Sequence, residues 1–173
     1  MHSVKLNSEL FNQDVNILEI RSMRGQMTKI EELKEKAKVG WASFISFEAL
    51  TSTAAPKLVQ FSGARQGMKL LDVACGTGVV ALTASRQGVE VEGIDLTPEL
   101  ISRAIENSKI MGLKAKFVEG DAEFLPYKEN EFDVVLSQYG HMFAPRPSVV
   151  VKELARVLKP GGILAFSTWP KEL

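Results

Sequence analysis

The chain has 173 residues, 45% of them hydrophobic and 24% charged, enough for one domain with a buried core and too few for two typical domains and a linker. Lysine plus arginine balances aspartate plus glutamate at 21 each, so no global field draws the chain to nucleic acid or an anionic membrane. Cys75 is the only cysteine, and His2 and His141 are the only histidines. This excludes an internal disulfide framework and argues against a zinc site, so no metal is expected. No apolar run approaches the roughly 20 residues of a membrane span, and "MHSVKLNSELFNQDVN" lacks a secretion core, so the expected address is cytoplasmic.

Residues 1–26 read as an extension of unassigned role, mixed in polarity, before a domain over 27–173. From Thr28, "TKIEELKEKAK" predicts a helix with a capping threonine, early glutamates and late lysines, its charges forming a solvated face. "FISFEALTSTAAPKLVQFSGA" continues the helical pattern; Trp41, Phe44 and Phe47 lie on this approach, either as a cover for a ligand or as packing between helices. After Gly67 strands and helices alternate. "KLLDVA", "VEVEGID", "AKFVEGD", "FDVVLSQ" and "ILAFST" read as five strands. Between them "GVVALTASRQG" reads as a helix closed by Gly88, "TPELISRAIENSKIMG" as one with Thr97 as cap, Pro98 in its first turn and Gly112 at its end, and "SVVVKELARVLKPGG" as one stopped by Pro160 and Gly161. Strands joined through helices lie parallel with helices on both faces. The expected class is therefore α/β, a doubly wound Rossmann-like sheet with N-terminal helices, its ligand-binding core over 67–170.

In such sheets ligands sit beyond the carboxyl ends of the strands, where the strand order reverses. Asp72, Gly76, Thr77, Gly78, Asp95, Asp121 and Gln138 all fall at or just past strand ends. A triphosphate loop is excluded because no lysine follows Gly78. A pyridine dinucleotide fits "GTGVVA" and Asp95 about 20 residues on, but Asp72 would oppose a pyrophosphate, and the acid in "EGDAEFLP" has no part in that fingerprint. Both objections vanish for a ligand with a cationic amino group and no phosphate. Asp72 then accepts from an amino acid moiety, Asp95 takes both ribose hydroxyls, and Asp121 with the backbone at Ala122 meets the adenine edge. These requirements describe S-adenosyl-L-methionine.

In order and spacing, "LLDVACGTG", "GIDLT", "EGDAEFLP", "FDVVLSQ" and "RVLKPGG" resemble the successive motifs of class I S-adenosylmethionine-dependent methyltransferases, nearest the small-molecule subgroup of ubiquinone and menaquinone methylases. The likeness spans about Trp41 to Pro170. It implies a sheet of order 3-2-1-4-5 and cofactor contacts from Asp72, Ala74, Gly76, Gly78, Asp95, Leu96, Asp121, Ala122 and Gln138. It makes Cys75 a turn residue beside the cofactor; with no histidine base in its neighbourhood, a nucleophilic role is not expected.

Methyl transfer needs the nucleophile and the methyl group held in line with water excluded. After the fourth strand, "SQYGHMFAP" faces the rim to which the methyl group would point. His141 is the candidate catalytic base, against a role in shaping the loop, and Tyr139, Met142 and Phe143 are either cavity lining or core. The expected partner is a small-molecule methyl acceptor; "SQYG" disfavours an exocyclic DNA amine, and no nucleic acid is expected. Alternative functions are a non-catalytic cofactor-binding module or degenerate subunit, and thirdly an NAD(P)-dependent oxidoreductase. The family sheet has seven strands and this sequence supplies five, leaving an apolar edge. The chain is then a fragment, pairs as a homo-oligomer through that edge, or covers it with the first 26 residues, where "DVNILEI" suggests a short strand.

Overall fold

The computed structural model describes residues 17–168, with side chains from residue 25 onward. Five strands, β1 (Lys69–Val73), β2 (Glu90–Asp95), β3 (Ala115–Glu119), β4 (Phe132–Gln138) and β5 (Leu158–Ser167), form one sheet of order β3-β2-β1-β4-β5. Every pairing is parallel. The order reverses between β1 and β4, which opens a crevice at their carboxyl ends.

Side chains that alternate along each strand feed two cores. Leu70, Val134, Leu136 and Ala165 face α3 (Ala55–Ser62) and α4 (Val79–Ser85), while Leu71, Val73 and Val135 face α6 (Pro147–Val157). Because the inner strands are buried on both faces, their sequences are nearly continuous apolar runs. α5 (Pro98–Met111) begins at Thr97, which is extended but makes no side-chain cap bond, and ends at Gly112 in the left-handed region with φ 64°. α5 packs against β3 and β2.

The N-terminal region departs from expectation. α1 (Ile17–Ala42) runs unbroken across residues 26 and 27, so Thr28 lies inside a helix and not at its N-terminus. Residues 17–20 of "DVNILEI" are helical, contrary to the expected strand; residues 14–16 lie outside the described residues. The next stretch divides into a 3₁₀ turn (Ser43–Phe47), a short α2 (Glu48–Ser52) and α3, whose first turn carries Pro56. Pro56 lacks an N–H, so it suits a helix start. α6 ends at Val157, before Pro160 and Gly161; Leu158 already pairs with Phe132, and the register shifts before Val134 pairs with Ile163. Strand pairing, not the proline, stops this helix.

Close packing fixes the glycine turn. A Cβ on Gly93 of β2 would lie 2.7 Å from Phe117 Cδ1, and one on Gly78 2.9 Å from Phe117 Cζ. Gly78 also has φ 84°, so both space and backbone demand glycine there.

Candidate functional site

A cavity opens where the strand ends meet, with α1 and the turn after β4 on its far side. Of the residues expected to touch a cofactor, Asp72, Ala74, Gly76, Thr77, Asp95, Leu96, Asp121, Ala122 and Gln138 line it. Gly78 does not; it sits behind the turn against Phe117 and Ala104.

Asp72, 1% exposed, accepts the Ala81 N–H on Oδ2 at 3.0 Å. Its Oδ1 is buried without a partner. Burial, with a smaller contribution from the charge of Asp95, pushes its pKa up to about 8, against the opposing bond from Ala81. An orphaned acid oxygen in a cavity wall is costly unless a donor meets it. Asp95 accepts from Gly76 N–H at 2.8 Å and Thr97 N–H at 2.9 Å, one on each oxygen. It thereby anchors the glycine turn and the start of α5. Burial raises its pKa, partly countered by those backbone bonds. The space a Gly76 Cβ would occupy has no neighbour within 4 Å, so a ligand can approach the backbone there.

Asp121 accepts from Glu123 N–H at 2.9 Å and from Lys34 Nζ at 2.5 Å. Gln138 Nε2 donates to Thr51 O at 2.9 Å, which ties α2 to β4, and its buried Oε1 has no partner. Ala74 and Tyr139, which follow β1 and β4, have positive φ of 56° and 64°. Left-handed backbone at a non-glycine residue costs about 1–2 kcal/mol. The two are linked through Gly140, where a Cβ would fall 2.3 Å from that of Ala74.

Cys75 is buried, and desolvation with the charges of Asp72 and Asp95 raises its pKa well above the ordinary value, so it stays a thiol. His141 is not part of the cavity wall. Its Nδ1 lies 3.2 Å from Ser137 Oγ and its ring 4.9 Å from that of Phe166, and burial lowers its pKa. The expected base is neutral at pH 7, but it is turned to the β5 side of the turn. Tyr139 and Phe143 line the cavity and Met142 does not. Trp41 and Phe44 also line it; Trp41 meets Phe44 at 4.9 Å and Phe143 at 4.7 Å, and Phe44 stacks on Phe47 at 4.7 Å. They are thus both helix packing and cavity wall.

Sequence reasoning missed Lys34 and Glu48, which line the cavity, and Glu123 and Arg146, which pair beside it. Lys34 belongs to a charge run indistinguishable from a solvated face, and no local pattern marks it. Asn107 donates to Thr77 O and to Glu48 Oε2, both at 3.1 Å, bracing the glycine turn from behind. In "RVLKPGG", Arg156 donates to the carbonyls of Leu125 and Tyr127 and so fixes the segment after β3.

Comparison with known proteins places this geometry. A family model described as "Methyltransferase domain" matches residues 71–166. An uncharacterized protein of Mycobacterium tuberculosis is 44% identical over 125 residues, 72% of this chain and 46% of that protein. A demethylmenaquinone methyltransferase of Staphylococcus aureus is 40% identical over 111 residues, covering 62% and 46%. Among solved structures, the [4+2]-cyclase SpnF is 31% identical with TM-score 0.64, covering 66% of this chain and 43% of that one. The YcgJ protein of Bacillus subtilis is 28% identical with TM-score 0.63, covering 66% and 49%. The chain spans about half the length of the curated relatives it matches. No helix among the described residues is long and apolar enough to cross a membrane. The parallel sheet of order 3-2-1-4-5, the glycine turn at its crevice and a family match over more than half the sequence make one assignment: this chain belongs to the class I S-adenosylmethionine-dependent methyltransferases.

Proposed function

We propose that the chain binds S-adenosyl-L-methionine in this cavity and transfers its methyl group to a small-molecule acceptor. The observation that carries this is the acid balance of the wall. Glu48, Asp72, Asp95 and Asp121 line it against one cation, Lys34, which is already bonded to Asp121 and Glu123; Glu48 is paired with Arg103 from outside the wall, which leaves Asp72 and Asp95 as the acids with no cationic partner among the described residues. Such a wall suits a positively charged ligand and opposes the pyrophosphate of a dinucleotide.

The residues fit the cofactor. The orphaned Oδ1 of Asp72 suits the amino group, directly or through one water, and the open space over Gly76 admits close backbone approach. Asp95 retains free lone pairs for the ribose hydroxyls, and Asp121 with the backbone at Ala122 suits the adenine edge. When bound, the cofactor supplies an electrophilic sulfonium methyl group. The protein's contribution is alignment and exclusion of water. Trp41, Phe44, Tyr139 and Phe143 offer the acceptor an apolar wall, which favours a planar, uncharged molecule over a carboxylate. Acceptor deprotonation is not assigned to His141, given its place outside the cavity.

Asp95→Ala should weaken S-adenosylmethionine binding by on the order of 1–3 kcal/mol, the worth of hydrogen bonds to a charged acceptor. Equal affinity in equilibrium dialysis would remove Asp95 from the site. A second function, cofactor binding without methyl transfer, is favoured by the similarity to SpnF, a [4+2]-cyclase and not a methyltransferase by name. Tight binding with no transfer to any acceptor in a screen of phenols, quinols and amines would support it.

A further inference from the structure

Glu123 lies beside the cavity with its side chain 1% exposed, and segments distant in sequence converge on it. Lys34 of α1, 11% exposed, bonds Glu123 Oε2 as well as Asp121. Arg146, which precedes α6, donates its backbone N–H to Oε1 at 2.6 Å, and its Nε and Nη2 to Oε2 at 3.0 and 2.8 Å. Burial alone would raise the pKa of Glu123; the bonds from Arg146 and Lys34 outweigh it and hold the carboxyl below its ordinary value. The group is therefore an anion with four donors. The same two segments meet a second time, where Trp41 touches Phe143 at 4.7 Å. Each also contributes cavity wall, Lys34 and Trp41 from one side and Tyr139 and Phe143 from the other.

We propose that Lys34, Glu123 and Arg146 form a clasp that holds α1 and the 139–146 segment together across the cavity and presents Asp121 to the ligand. Lys34 and Arg146 are then positioning residues for cofactor binding. Arg146 is 42% exposed and is absent from the cavity wall, so it acts on a ligand indirectly, through its bonds to Glu123 and its charge near Asp121. Removing one partner of a buried charge leaves the rest under-compensated, so the effect spreads to the remaining partner. The identity of the ligand rests on the function proposed above; the clasp does not.

The test is amide hydrogen exchange of the full chain and of Arg146→Met, Lys34→Met and Lys34→Arg, combined with S-adenosylmethionine dissociation rates. Arg146→Met should speed exchange in residues 139–146 and also in α1 around Lys34, Lys34→Met should loosen the same two segments, and Lys34→Arg should restore most protection. Cofactor dissociation should quicken by about fivefold or more in Arg146→Met, the low end of an energetic coupling between sites. If Arg146→Met loosens only its own segment, or both segments loosen while dissociation is unchanged, the clasp is overturned. Failure of the unsubstituted chain to bind S-adenosylmethionine would refute the proposed function, while the exchange comparison would still decide the clasp.

Discussion

Asp72 is the residue where stability and binding oppose each other. Burial holds its pKa near 8 in the folded chain, against about 3.9 when unfolded. Between those values the folded state keeps a proton that the unfolded state has lost, so this group makes stability fall as pH rises from about 4 to about 8. Asp72→Asn should remove that slope and raise stability by on the order of 2 kcal/mol at pH 8 while weakening cofactor binding. Urea unfolding at pH 5 and pH 8 reads the first effect, and an unchanged slope would remove Asp72 as its source. An ammonium beside Asp72 selects the ionised form, so S-adenosylmethionine affinity should rise between pH 6 and pH 8; a flat profile would place the amino group elsewhere. Asp72, Asp95 and Asp121 were legible in the sequence because each follows a local strand pattern, and strand ends determine where such acids point. Lys34 and Glu123 were not, since their pairing joins positions 89 residues apart.

Among the elements, the strands and α5 were readable because their signals are local: apolar runs, Pro98 at a helix start, Gly112 at its end. α1 is longer than its local pattern predicts because Gly25 and Thr28 interrupt that pattern without breaking the helix, a cost of about 1 kcal/mol for glycine that a long helix can absorb. α6 ends earlier than the local proline signal predicts, since Leu158 gains a partner in β4, a tertiary contact that outranks that signal. The packing of β2 on β3 is tight enough to test. Gly93→Ala would drive a Cβ against Phe117 and bring it to 3.0 Å from Cys75 Sγ. Overpacking of this kind costs about 1–3 kcal/mol, to be read as a lower urea midpoint. Wild-type stability in that variant would mean that Phe117 can swing aside.

Over the whole molecule, the parallel sheet with helices on both faces followed from alternation, its order 3-2-1-4-5 came only with the family resemblance, and every expected cofactor contact but Gly78 reaches the cavity. The placement of the His141 ring did not follow, because the turn after β4 sets where it points, and that turn directs it toward Phe166. β5 is an edge of the described sheet, with Ile163 38% and Phe166 53% exposed. Such an edge invites pairing, so this chain should self-associate in sedimentation velocity as its concentration rises, and Phe166→Lys should suppress it. A monomer at all concentrations would show the edge to be guarded. The central claim, an acid-walled cavity for a cationic nucleoside, is tested most directly by calorimetric titration with S-adenosylmethionine, S-adenosylhomocysteine and NADH in parallel. Saturable one-site binding of the first two with none of NADH is the predicted result. Binding of NADH alone, or of none of the three, would contradict it.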